Sequence, residues 1–318
     1  MMAVWTQGRR LFVSIPPALA VCATFALLAP AFAASDPDDR QLWVEPKDLA
    51  SRDLFFGPGG RELVPTPDAV YRFHSIDTKG HSRGYEVRDP RDRKWKIKIG
   101  DEVQSEIAVS RILWAIGYHQ PVMHYVAKWS MTGGPKAKAE PGRFRLESDH
   151  EKDGDWSWDD NPFSGTQPFR GLVVVNLLLN NWDMAETNNK IYRVSAPASG
   201  PERRYVVQDL GASLGKTHWP IGGRNDIDGY ESQAFIKGAA DGRVDFDYHG
   251  PHKALVKSVT PADVAWACRW LSRLTDRQLT DAFRAAAYAP DIQQRYVRKI
   301  RHKIGEGLAL DTRASGSK

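Results

Sequence analysis

The sequence predicts an α+β chain in two lobes: a small β-rich N-lobe carrying one helix, and a larger, mainly helical C-lobe. Three observations predict it. First, "VYRFHSI", "GYEVRD" and "RKWKIKIG" read as strands around the turns "DTKGHSRG" and "DPRD", a three-stranded meander. Second, the next run changes period: Val103, Ile107 and Trp114, with Ala108, Ile112 and Ala115, recur at helical spacing. Third, from Pro261 onward "PADVAWACRWLSRL", "TDRQLTDAFRAAAY" and "APDIQQRYVRKIRHKI" read as three helices in succession. With 318 residues and 42% hydrophobic content, the chain can bury one large core or two modest ones.

The chain begins as an export signal does. Arg9 and Arg10 precede the apolar run "LFVSIPPALAVCATFALLAP", and Ala31-Phe32-Ala33 fits the small-x-small cleavage rule. Residues 1–33 therefore read as a signal peptide, and the mature protein as periplasmic or secreted. The same run is long enough to span a bilayer, so a retained anchor is the competing reading. No other run is, which leaves no stable span after cleavage. Cleavage also leaves Cys268 alone, as a small core residue with no disulfide partner. The formal charge is +5, of which Arg9 and Arg10 lie in the leader. No dense Lys/Arg stripe with interleaved aromatics is present, which argues against nucleic acid as a partner.

Residues 34–70 are rich in Pro, Gly and Asp and should wrap the surface. The N-lobe occupies residues 71–130. Its helix starts at Asp101 as N-cap, with Gln104 completing a capping-box variant, and Gly117 ends it; "PVMHYVAKW" is a further strand. Residues 131–163 are polar and read as an irregular linker or insertion, with Trp156 and Trp158 packed on a surface strand. The C-lobe spans 164–310. In it "FRGLVVVNLLLNN" is long enough for a buried helix, "KIYRV" and "RYVVQD" are hairpin strands, and "RVDFDYHG" is a short strand. Arg295, Arg298, Arg301 and Lys303 read as a solvated helix face, and residues 311–318 as a disordered tail.

The chemistry gathers at "NNWDMAETNNKIYRV". If 190–194 and 205–208 pair antiparallel, the start of the first strand meets the end of the second. Asn188 then stands beside Asp209, although 21 residues separate them, and Asp183 lies on the loop feeding the same spot. Such oxygen ligands suit a hard cation, Mg²⁺ or Mn²⁺, that binds phosphate oxygens. Phosphoryl transfer needs this arrangement, plus a strand lysine on the donor phosphates and a helix glutamate to hold it. Lys98 and Glu106 stand in that order.

"SEIAVSRILWAIGYHQPV", "NNWDMAETNNKIY" and "VVQDLGASLG" resemble the protein-kinase-like superfamily. They are most similar to its atypical branches: type II phosphatidylinositol 4-kinases, HipA-type kinases and related secreted kinases. Asp183 to Asn188 matches the D-x-x-x-x-N catalytic loop, Asp209-Leu210-Gly211 the metal-binding D-x-G, "WKIKIG" the lysine strand, and Ser105-Glu106 the lysine-pairing helix. The resemblance covers about residues 70–215 and implies a two-lobed kinase-like fold with ATP between the lobes. It implies that Lys98 contacts the phosphates, Glu106 positions it, Asp183 orients the acceptor, and Asn188 and Asp209 bind the metal. Trp182 and Asn181 stand where that family has the residues before its catalytic Asp, and no G-x-G-x-x-G is present. The turn bearing Gly80, Ser82 and Gly84 would cover the phosphates, and Asn189 is the alternative to Asn188 as ligand. The acceptor, a protein, lipid or small-molecule hydroxyl, is open. Two other function classes compete: a catalytically inactive, exported kinase-like scaffold, and metal-dependent hydrolysis through His74, His81, His119 and His124, for which no H-x-x-x-H spacing exists.

Overall fold

A computed structural model of the protein describes residues 38–66, 68–77, 82–135, 140–147, 150–194, 203–218 and 222–315. Residues 1–33, read above as a signal peptide, and Gly80 and His81 lie outside the described residues. The chain is α+β, as expected. A mixed six-stranded sheet contains β1 (Val70–Asp77), β2 (Arg83–Arg88), β3 (Lys94–Ile99), β4 (Met123–Val126), β5 (Ser130–Thr132) and β6 (Gly142–Leu146), in the order β4-β6-β3-β2-β1-β5. The meander β1-β2-β3 is antiparallel throughout, and β5 joins β1 in parallel.

The stretch read as irregular supplies β6, which pairs with β3 and β4 and so joins the edge strand β4 to the meander. Phe144 is fully buried there, in a cluster with Tyr71, Val87, Trp95, Ile97 and Ile99. Arg143-Phe144-Arg145-Leu146 does alternate polar and apolar, but four residues following Pro141-Gly142 within a polar stretch are a short signal, and the long-range pairing is what reveals the strand. The same stretch supplies β7 (Glu151–Asp155), which forms a second, antiparallel sheet with β8 (Asn189–Arg193) and β9 (Arg203–Val207). Trp156 and Trp158 are not on a surface strand. They are buried in the main core, ring centroids 5.0 Å apart.

Helix α1 (Val103–Ala115) starts one residue later than expected. Glu102, not Asp101, holds the N-cap position and makes no capping bond. Its carboxylate is taken by Lys98, Ser82 and Arg224, and the Gln104 amide reaches the Ala286 carbonyl at 3.0 Å. The far end of α1 is closed by the wrapping segment. Arg52 donates to the Trp114 and Ala115 carbonyls, and Trp43 Nε1 to the Ile116 carbonyl at 2.7 Å, satisfying acceptors that a helix terminus leaves open. Leu42, Leu49 and Leu54 of that segment enter the main core.

Helix α2 (Gln167–Leu178) is capped by Thr166 and buried along its length, as its apolar run requires. Two short helices, α3 (Ile227–Ser232) and α4 (Lys253–Lys257), and a hairpin of β10 (Ile236–Ala240) and β11 (Arg243–Phe246) precede the three expected helices. These are α5 (Pro261–Ser272), α6 (Asp276–Ala285) and α7 (Pro290–Ser315). Thr260 with Asp263, and Thr275 with Gln278, close reciprocal capping boxes on α5 and α6. The tail expected from residue 311 is instead helical to Ser315. Cys268 is a buried free thiol, pushed up to about 12 by burial.

His119 and His124 are structural. His119 bonds the Arg40 carbonyl at 2.8 Å, and His124 lies buried against Arg111. Burial depresses them to about 4 and about 3, so both are neutral at pH 7. The basic face assigned to α7 is only partly solvated: Arg295 and Arg301 form ion pairs at the surface, but Lys303 is fully buried.

Candidate active site

Lys98 reaches the site because β3 alternates. Trp95, Ile97 and Ile99 enter the sheet's apolar cluster, and Lys94, Lys96 and Lys98 take the opposite face. Lys94 and Lys96 pair with Glu86 and Glu147. Lys98, flanked in the ladder by Gly84 and Arg143, pairs instead with three carboxylates. Glu102 lies at 2.8 Å, Glu106 at 3.6 Å, and Asp209 is in direct contact. Burial works against the Lys98 ammonium, but the charges of Glu106, Asp209 and Glu102 outweigh it and hold the pKa above its ordinary value.

The expected Lys98–Glu106 pair is thus present, but Glu102 is the nearer partner. Glu106 shares its other oxygen with Arg143 Nε at 3.3 Å. Burial pushes the Glu102 carboxyl up. Lys98 and the hydrogen bonds from Lys98 and Ser82 overcome this and leave it below the usual range. Arg224 binds the second oxygen of Glu102 at 3.1 Å and lies over the Trp182 ring, 5.3 Å from its centroid.

Asp209 follows β9 in a left-handed conformation, φ 55° and ψ 50°, at the head of a 3₁₀ turn over Leu210–Ala212. Such a backbone costs an L-residue about 1 kcal/mol or more, and it turns the chain beneath α1. The Ser105 hydroxyl donates to the Gly211 carbonyl at 2.7 Å. A Cβ on Gly211 would fall 2.6 Å from that of Glu102, so only glycine permits this approach. Two motifs remote in sequence therefore touch directly.

The Asp183 loop is laid along the same turn. Trp182 N–H donates to the Ala212 carbonyl at 3.2 Å, and Leu214 N–H to Leu179 at 2.9 Å. Asn181 braces the loop by accepting from the Asp183 amide and donating to the Asn176 side chain. His252, with its other ring nitrogen on Asp159, contacts the Met184 carbonyl at 2.8 Å. Burial and then the charge of Asp209 raise the Asp183 carboxyl above its usual range, against a hydrogen bond from Asn188. Asn188 also donates to the Asp183 carbonyl at 3.3 Å, whereas Asn189 turns the other way, to the Trp156 carbonyl at 3.0 Å.

Lys98, Glu106, Asp183, Asn188 and Asp209 thus form one constellation. Ser82 joins it through Glu102, and Gly84 through the ladder beside Lys98. Sequence reasoning missed Glu102, Arg143 and Arg224. Glu102 carried a signal, one helical turn before Glu106; the two arginines, on remote segments, carried none. Among the described residues no three His, Cys, Asp or Glu side chains converge as a metal cage. A cation here would rest on two protein oxygens, the Asn188 amide and the Asp209 carboxylate. The Asp209 side chain is 40% exposed, and the oxygen-only donor set fits a hard ion that keeps waters or phosphate oxygens.

The chain is similar in structure to the proinflammatory kinase CtkA of Helicobacter pylori. The likeness has 11% identity and a TM-score of 0.47, covering 77% of this chain and 98% of that one. No family profile matches the chain, and no curated protein does. A likeness at this level leaves the functional reading to rest on the site.

Proposed function

We propose that the protein is an exported, two-lobed kinase of the atypical protein-kinase-like type, transferring the γ-phosphoryl of ATP to a hydroxyl acceptor. One observation carries the reading: Lys98 of the sheet, Glu102 at the N-cap of α1, Glu106 within it, and Asp209 after β9 meet at one ammonium, with Asp183 and Asn188 beside them. Phosphoryl transfer is positioning plus electrostatics, and these are the groups it needs.

In this reading Lys98 binds the donor phosphates, and the carboxylates of α1 hold its ammonium in place. Asn188 and Asp209 hold Mg²⁺ or Mn²⁺, which when bound offsets phosphate charge. The acceptor oxygen bonds to the γ-phosphorus, the bond to the β–γ bridging oxygen breaks, ADP leaves, and the acceptor proton passes to Asp183. A carboxyl raised above its usual range suits that role. The acceptor class, protein, lipid or small molecule, is left open. Asp183→Asn is expected to lower transfer from γ-labelled ATP by at least about 10²-fold while nucleotide still binds. Equal transfer by the two proteins would remove Asp183 from the mechanism.

The second reading is an inactive scaffold of the same fold. Its support is the direct Lys98–Asp209 contact, which closes the place of the phosphates with the protein's own charges. A well-folded wild type that neither binds nucleotide nor transfers phosphoryl to any acceptor would favour it. Export rests on the leader sequence alone. It predicts that N-terminal sequencing of protein from the periplasm or medium begins at Ala34; an intact leader there would contradict it.

A further inference from the structure

Lys303 stands apart from the rest of α7. Its ammonium is fully buried, a placement that disfavours the charged form. Among the described residues no carboxylate forms an ion pair with it. It donates to the Leu178 carbonyl at 2.9 Å and to Asn180 Oδ1 at 2.8 Å, and lies 4.0 Å from the Tyr230 ring centroid. Packing alone would be served at less cost by Met or Leu, so what distinguishes the position is the pair of hydrogen bonds that the amine donates.

That pair holds a junction. Leu178 is the last residue of α2, and Asn180 follows in a left-handed conformation, φ 55°. The Asn180 side chain is fully used: its oxygen faces Lys303, and its amide donates to the Gly215 carbonyl at 2.7 Å and to Gln233 Oε1 at 3.2 Å. Gln233 in turn accepts from Thr217 N–H at 2.6 Å. Asn180 opens the segment that ends in Asp183, and Gly215 closes the segment that begins at Asp209. One side chain therefore ties both functional segments together, and Lys303 sets which way that side chain points.

We propose that Lys303 is a positioning residue, which through Asn180 fixes the Asp183 and Asp209 segments in mutual register for the metal–nucleotide. This deepens the kinase reading and rests on it. The test compares Lys303→Met, Asn180→Gly (which keeps a left-handed backbone) and their double variant with Leu271→Ala, a buried α5 control. Two quantities are measured: amide hydrogen exchange, and binding of Mg²⁺ with ATP. Lys303→Met and Asn180→Gly are each expected to speed exchange over residues 179–184 and 212–217 while α5 stays protected. Each should weaken nucleotide binding about tenfold, the scale of coupling within one hydrogen-bond network, and the double variant should be no worse than the weaker single.

If Lys303→Met matches Leu271→Ala in both measurements at equal loss of Tm, the proposal is overturned. Should Lys303→Met not fold, Asn180→Gly carries the test by the same two criteria. If wild type binds no nucleotide, the kinase reading fails. Exchange alone then decides: selective loosening of the two segments supports positioning, and uniform loosening rejects it.

Discussion

Replacing Asp209 by Ala is expected to abolish stabilisation by metal and nucleotide together while leaving the fold close to its original stability. Asp209 is the one carboxylate at Lys98 that is well exposed, and Lys98 keeps Glu102 and Glu106 without it. Removing it also relieves Asp183 of a like charge. At about a hundredfold excess over Kd, a ligand stabilises by about 2.7 kcal/mol, several degrees of Tm in a chain of this size. Wild type should show that rise with Mg²⁺ or Mn²⁺ and ATP; the variant should show none, and transfer should fall by about 10³-fold, the scale of losing one preorganised electrostatic group. A variant that keeps both the shift and the transfer would refute Asp209 as metal ligand. No shift and no detectable transfer in wild type itself would move the reading to the inactive scaffold.

Lys98→Met should do the opposite to the fold. It strands Glu102 and Glu106 in a buried place with no ammonium between them, and breaking a buried pair costs about 3 kcal/mol or more. The deficit should depend on pH, with a defined sign. In wild type the Glu102 carboxyl lies below its usual range, because Lys98 and its hydrogen bonds outweigh burial; that stability is present above the unfolded value and lost as pH falls. Without Lys98, burial is opposed only by the Ser82 hydrogen bond and the Arg224 pair, and the carboxyl moves up, so the variant sheds its penalty by taking a proton as the medium acidifies. The Tm gap between wild type and variant should therefore be widest near neutral pH and narrow toward about pH 4.5, near the ordinary glutamate range. A gap that stays constant across that window would show that Lys98 is not what holds Glu102 ionised.

The three-stranded meander, the buried helix at 167–178 and the capped helices near the C-terminus were legible because each has enough residues to display a period or a cap. The strand at 142–146 was not, since five residues with one decisive Phe144 show their pairing only across the sheet. Lys303 was misread for a related reason. Its neighbours Arg295 and Arg301 are surface cations, and helical spacing alone does not say that an acceptor cluster waits on the buried side.

By itself the sequence determined an α+β chain and, through motif spacing and one hairpin register, five residues that the fold brings together, Lys98, Glu106, Asp183, Asn188 and Asp209. Only the tertiary structure decided who answers whom. Glu102 is the nearer carboxylate to Lys98, Asn188 rather than Asn189 faces Asp183, and Arg224 reaches Glu102 from a segment remote in sequence. The physical reason is that spacing constrains neighbours along the chain, whereas ionic partners are chosen by which charges burial brings within a few ångströms of one another.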